Sequence, residues 1–194
     1  MKLTVSFYNY LYTSKYSASA SGAGSPIIEE AIERITSALC TQSNSSTLNH
    51  DSYAASKRKS FILSVDQAHA IHPNYASKHE VNHSPLMNKG VVMKINSNQR
   101  YTTNGITGFI MREISRKAGI TPVQEFVVRN DCPCGSTIGP TISARTGIRT
   151  VDAGMPQLSM HSCREVMGII DCKFVLGCSA FVYYLVCEIS QCYY

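Results

Sequence analysis

Between Phe61 and Tyr75 an apolar run, Phe61-Ile-Leu-Ser-Val65, delivers a carboxylate and two imidazoles, Asp66, His69 and His72, into one short segment. A short run that is apolar without clear alternation reads as a buried parallel strand, and open α/β sheets gather their chemistry at the C-terminal ends of such strands. A carboxylate placed there must pair with a cation, cap a turn or hold a metal. Asp66 is therefore a candidate metal ligand as well as an ordinary turn-forming Asp. A few residues on, His79-Glu80-Val-Asn-His83 spells H-E-x-x-H, in which two histidines one helical turn apart hold zinc and the glutamate acts as base. That chemistry needs a helix. Here Pro73 and Pro85 bracket a short polar segment with no apolar face to bury, so a zincin arrangement is not expected.

The surrounding elements must position these groups. Ser25-Pro26-Ile-Ile-Glu-Glu starts a helix: Ser25 can cap, Pro26 suits the first position, and Glu29, Glu30 and Glu33 favour the positive end of the dipole. Its spacing gives Ile28, Ile32, Ile35 and Leu39 one buried face, after which Cys40 to Ser56 reads as a polar loop. The strand ending at Asp66 is followed by loop to about Asn88 and by a strand over Val91-Val-Met-Lys94-Ile. A second amphipathic helix fits Ile106 to Ala118, with Ile106, Ile110 and Ile114 on one side and Gly119 as its stop. Glu125-Phe-Val-Val-Arg129 and Arg149-Thr-Val-Asp152 read as short buried strands. Alternating strands and helices with no repeat or long linker predict one α/β unit, a central sheet flanked by helices.

Composition narrows the function. A chain of 194 residues with 44% hydrophobic content can bury a core of its own. The net charge of +5 comes from scattered Lys and Arg, and the one dense cluster, Lys57-Arg58-Lys59, reads as a solvated flank, so no nucleic-acid partner is expected. The 8 cysteines form no C-x-x-C framework, which points to reduced thiols and a cytoplasmic location, and Cys132-Pro-Cys134 reads as thiols in a Gly-rich turn. The first twenty or so residues make a poor signal peptide because Asn9 and several tyrosines interrupt the apolar stretch. Phe174 to Cys187 is uncharged but shorter than the roughly 20 residues a membrane span requires.

Five blocks occur in one order: Asp66-Gln-Ala-His69-Ala-Ile-His72-Pro-Asn-Tyr, Lys78-His79-Glu80-Val-Asn-His83-Ser-Pro, Lys94-Ile-Asn-Ser-Asn-Gln-Arg100-Tyr101, Val128-Arg-Asn130-Asp131-Cys-Pro-Cys134-Gly-Ser-Thr-Ile-Gly139-Pro140 and Gln157-Leu-Ser-Met-His161-Ser-Cys-Arg164-Glu165. Together they resemble the aspartyl aminopeptidases, two-metal zinc exopeptidases. The likeness covers about Ser60 to Asp171, with a weaker echo in Gly22-Ala-Gly24-Ser25-Pro26. It implies a partial zinc-exopeptidase-like catalytic domain over residues 21–171, the C-terminal part of the family's domain, between a divergent segment 1–20 and a divergent apolar tail 172–194.

The resemblance further implies a hydrolase that releases N-terminal Asp or Glu from peptides, uses two zinc ions and assembles as a homo-oligomer. Asp66 matches one metal-binding aspartate of the family, at the edge of the substrate site, and His161 matches the late metal-binding histidine. His69 matches a histidine that contacts substrate. Lys94 and Tyr101 match positions lining the pocket for the acidic side chain, where an ammonium would select a carboxylate that is costly to bury unpaired. The family's glutamate pair, one of them the catalytic base, falls opposite Thr13 and Ser14, neither of which can act as base or carboxylate ligand. The chain by itself is therefore expected to hold at most one weakly bound ion and to be inactive alone. The alternative is a non-catalytic subunit or decoy that joins oligomers of a full-length relative.

Overall fold

The computed structural model describes residues 22, 24–42, 50–119, 123–174 and 176–177. Thr13, Ser14, the rest of segment 1–20 and the tail beyond residue 177 lie outside the described residues. Four strands make the main sheet in the order β1-β5-β3-β4: β1 (Phe61–Val65), β3 (Val92–Ile95), β4 (Gln124–Val127) and β5 (Arg149–Gly154). β1 runs parallel to β5 and β3 parallel to β4, whereas β3 meets β5 antiparallel through Val92↔Gly154 and Met93↔Ala153. A second, smaller sheet is built from β2 (Ala68–His69), β6 (Pro156–Leu158) and β7 (Val166–Met167) in the order β2-β6-β7.

The helices divide between the two faces of the main sheet. On one side α3 (Gly105–Lys117) buries Met111 and Ile114 against Met93, Val151, Phe61 and Leu63. Asn104 starts it, accepting from the N–H groups of Ile106 and Thr107 at 3.0 Å while Thr107 Oγ1 accepts from the Asn104 N–H at 3.0 Å. Arg116 and Lys117 suit its C-terminal end, and Gly119, at φ 64°, supplies the left-handed residue beyond it. On the other side α4 (Ile138–Thr146) packs on β5, and α1 (Ile27–Gln42) is tied to it by an Arg145–Glu29 ion pair at 2.9 Å. Glu29 and Glu30 stand in the first turn of α1, and Ser25 Oγ caps it loosely, accepting from Ile27 N–H at 3.5 Å.

Four expectations change. The polar stretch from Cys40 to Ser56 is not all loop: α1 continues to Gln42 and α2 (His50–Lys59) begins well before Ser56. That helix has little apolar character, and Lys57, Arg58 and Lys59 in its last turn favour it through the dipole. Secondly, among the described residues β1 lies at the edge of the sheet and its Phe61, Ile62 and Leu63 are only half-buried, although its composition reads as a central strand. Thirdly, Ile106 does not join Ile114 in the core and stays 65% exposed, while Thr107 and Met111 are buried on the face that meets the sheet. Finally, the stretch to Asn88 carries β2 and a 3-10 helix over Pro73–Lys78, and α4 appears where no helix was read. Among the described residues no helix is long and apolar enough to cross a membrane.

Candidate functional site

Lys94 lies on β3, at the face of the sheet opposite Met93, and only 2% of its surface meets solvent. An ammonium so placed is costly, and burial pushes its pKa below the ordinary lysine value, with Asp66 acting in the opposite direction. Nζ donates to Asp66 Oδ2 at 3.1 Å and stands 5.6 Å from the centre of the Tyr101 ring. Asp66 itself is half-exposed, so the pair joins one dry charge to one wet one.

The approach of Asp66 to this point depends on a missing side chain. Asp66 N–H donates to Ala153 O at 3.0 Å, and a Cβ on Gly154 would come within 2.5 Å of the Asp66 carbonyl carbon. Only glycine lets the loop after β1 close over the end of β5. The loop then enters β2, where His69 pairs in register with Gln157 of β6.

Phe126 on β4 is the shared platform of this cluster. His69, His79 and Tyr101 all contact its ring, at centroid distances of 6.1, 5.5 and 6.2 Å. Burial lowers the pKa of His69, and Lys94, His79 and His161 push it further down against the opposing carboxylate of Asp66. The five sequence-predicted residues Asp66, His69, Lys94, Tyr101 and His161 thus act on one locality. His161 sits at its rim, in the turn between β6 and β7, exposed and at φ 66°, a left-handed value unusual for a histidine. Its N–H donates to Glu165 Oε1.

Tyr101 is buried, and its pKa is driven up by burial first and then by the neighbouring Cys134, whose Sγ is 3.4 Å from the phenol oxygen. Behind it Asp152, 1% exposed, accepts from Thr102 N–H and Oγ1, both at 2.7 Å, and from Thr137 Oγ1 at 2.8 Å. A Cβ on Gly139 would stand 2.6 Å from Asp152 Oδ2, so α4 can approach this carboxylate only through glycine. Asp152 also stabilises the ammonium of Lys94 electrostatically.

Sequence reasoning passes over Phe126, Cys134 and Asp152 as parts of this cluster, and reads His79 only through its motif. Phe126 and Asp152 carry the short-strand pattern that places them on the sheet, but nothing local says which face they share with Lys94. The H-E-x-x-H string is not a helix: His79 forms a bridge to Val128 and is buried against Phe126, whereas Val81 and Asn82 form a turn. His83 points elsewhere, pairing with Glu80 and, at 3.4 Å, with Glu125. The two histidines therefore do not face a common point in the manner of a zincin.

Zinc requires at least three protein donors. The two residues expected to ligate metal, Asp66 and His161, would make two, Asp66 already accepts from Lys94, and among the described residues no group of three or more His, Cys, Asp or Glu could hold a metal ion. The described residues alone do not fit a complete zinc centre.

The profile of the family described as Aminopeptidase I zinc metalloprotease (M18) matches residues 16–181. The chain belongs to the M18 family. A probable aspartyl aminopeptidase of Ricinus communis is 55% identical over 160 residues, 81% of this chain and 30% of that protein. Among solved M18 structures, the cryo-EM complex of Ape4 with Nbr1 superposes on 90% of this chain and 32% of the matched chain with a TM-score of 0.81 and 42% identity. A Saccharomyces mApe1 dodecamer does so over 87% of this chain and 35% of its own, with a TM-score of 0.67 and 29% identity. The chain spans about a third of the length of the M18 relatives it matches.

Proposed function

We propose that this chain is the acidic-residue-recognising part of an aspartyl aminopeptidase. It binds peptides with N-terminal Asp or Glu and lacks hydrolytic activity when alone. The observation that carries this reading is the buried ammonium of Lys94, whose direct partner is a half-exposed carboxylate that a substrate carboxylate can replace or join. Tyr101, kept protonated across the physiological range, offers a hydroxyl beside it, and His69, held largely neutral, can accept or donate one hydrogen bond without adding charge. Asp66 and His161 contribute two donors towards zinc. With no third donor or general base beside them among the described residues, they hold at most one weakly bound ion, and peptide hydrolysis needs groups from outside the described residues. Self-association is part of the reading, supported by the dodecameric neighbour. A cytoplasmic setting is also part of the reading, on the cysteine pattern, which has no C-x-x-C framework.

The test is a titration of the purified chain with Asp-Ala and Asn-Ala dipeptide amides, alongside an assay with an N-terminal Asp chromogenic amide and a zinc count. The expected result is preference for the Asp peptide, lost in Lys94→Met, with no turnover and at most one zinc. Equal binding of both peptides would remove Lys94 from the specificity role, and turnover with two zincs per chain would overturn the inactive reading.

A further inference from the structure

Tyr101 owes its place to none of the regular elements. It lies between β3, which ends at Ile95, and α3, which begins at Gly105, yet it is buried and its ring meets both Phe126 and the ammonium of Lys94. Cys134, whose Sγ donates to the phenol oxygen at 3.4 Å, comes from a second irregular stretch, between β4 and α4. That direction leaves the phenol proton to donate to a ligand. Side chains carried on loops are held precisely only when groups behind them lock the backbone, so these two stretches need a common anchor.

The carboxylate of Asp152 supplies it. Met93 pairs with Ala153 in the antiparallel β3–β5 register and Lys94 with Phe126 in the parallel β3–β4 register. One step along the antiparallel register sets Lys94 opposite Asp152, so Asp152, Lys94 and Phe126 form a row across one face of the sheet. From that row Asp152 reaches both loops. Oδ2 accepts from Thr102 N–H and Oγ1, and Oδ1 accepts from Thr137 Oγ1. Its own N–H donates to Thr103 Oγ1 at 3.1 Å, and its carbonyl accepts from the same hydroxyl at 3.4 Å. Ser136 Oγ then donates to Arg100 O at 2.9 Å and closes one loop on the other. Thr102 and Thr103, the two residues after Tyr101, are thus fastened to one buried residue, as is Thr137, three residues after Cys134.

We propose that Asp152 is a positioning residue for selectivity toward N-terminal Asp and Glu: it fastens the Tyr101 and Cys134 loops so that the phenol stands beside Lys94 and donates to the same substrate carboxylate. Asp152 touches no substrate and acts through Tyr101. The inference rests on the acidic-peptide reading and deepens it. A hydrogen bond weakens steeply as its donor swings out of line, and a charge-assisted one has more to lose, so a loosened Tyr101 costs the Asp peptide more than its uncharged Asn counterpart.

The full 194-residue chain is titrated with Asp-Ala and Asn-Ala dipeptide amides, and selectivity is the ratio of the two affinities. Asp152→Ala should lower that ratio by about tenfold, the loss of one hydrogen bond to a charged group. Asp152→Asn, whose oxygen can take both Thr102 donors while its amide donates to the Thr137 hydroxyl, should keep selectivity within about threefold of the parent. Tyr101→Phe should lose as much as Asp152→Ala, and the double variant no more than either alone. Should Asp152→Ala not fold, Thr102→Val removes one bond of the clamp at a half-buried position; it should lower the ratio by at least about threefold, and not at all in the Tyr101→Phe background. Amide exchange at Thr102 reads the clamp without peptide: slow in the parent and in Asp152→Asn, at least about tenfold faster in Asp152→Ala. The proposal is overturned by losses that add in the double variant, by Asp152→Asn as poor as Asp152→Ala, by equal loss on both peptides, or by fast exchange of Thr102 in the parent. A parent with no preference for the Asp peptide defeats the acidic-peptide reading and this inference with it, whereas a preference that survives Asp152→Ala defeats this inference alone.

Discussion

Gly154→Ala should be among the most damaging single-methyl additions this chain can receive. The new Cβ would stand 2.5 Å from the carbonyl carbon of Asp66 and 3.2 Å from Cα of Gln67. Non-bonded carbons settle at about 3.5–4.0 Å, so the Asp66 peptide must retreat by about 1 Å. It is not free to do so. Asp66 N–H is bonded to Ala153 O at 3.0 Å, Ala68 N–H to Met155 O at 2.9 Å, and Val65 is in register with Ala153. Overpacking of about 1–3 kcal/mol, plus a weakened buried hydrogen bond of about 1 kcal/mol, totals roughly 2–4 kcal/mol. At about 2–4 °C per kcal/mol for a chain of this size, Tm should fall by roughly 4–16 °C. The comparison is Gly135→Ala, where a Cβ meets nothing within 4 Å and which should stay within about 0.5 kcal/mol of the parent. Thermal unfolding of both variants decides the matter. If Gly154→Ala melts within about 2 °C of the parent and beside Gly135→Ala, the close approach of the Asp66 loop to β5 is not a real constraint.

Two further outcomes follow from buried ionisable groups. Lys94→Met should leave stability unchanged or raise it by about 1 kcal/mol at neutral pH, because the half-exposed Asp66 can rehydrate while a dehydrated ammonium is removed. The sign can be read from pH dependence: with Lys94 depressed in the folded state, the unfolded chain binds more protons between that depressed value and about 10.5, so parental stability rises with pH across that window, a rise the variant should lack. Burial lowers His79, so the unfolded state takes up a proton first as pH falls below about 6.5 and stability is lost from there down to the folded-state value. Denaturant melts from pH 7.5 to 5 should therefore show a shallower loss in His79→Phe than in the parent, and identical slopes would place the His79 ring in water.

The sequence carried the parts of this fold that depend on local pattern. Apolar runs located β1, β3, β4 and β5, and a capped period of 3.6 located α3 to within a residue or two. The second sheet escaped because strands of two or three residues hold no periodicity. α2 escaped because its mean composition is polar and its support comes from charges at its end. The resemblance put Lys94 and Asp66 at one site, but their direct contact was not legible in local pattern, since their strands are not neighbours in the sheet and the contact follows only from the order β1-β5-β3. The half-exposure of Phe61, Ile62 and Leu63 was hidden for a related reason: composition reports a preference for burial but not whether a neighbour is present to provide it.

That strand order also sets a schedule. β5 lies between β1 and β3 in space but follows both in the chain, and Gly154 at its end is the surface over which the Asp66 loop folds. While the chain is being synthesised, β1 and β3 therefore emerge with a gap between them that nothing made so far can fill, and their apolar residues wait for about fifty more to appear. Closure of the sheet is a late, long-range event, and Lys94 acquires its carboxylate partner only then. Any nascent chain halted before Arg149 would expose two sticky strands and leave Lys94 without its partner, which makes β5 the quality checkpoint of its own assembly.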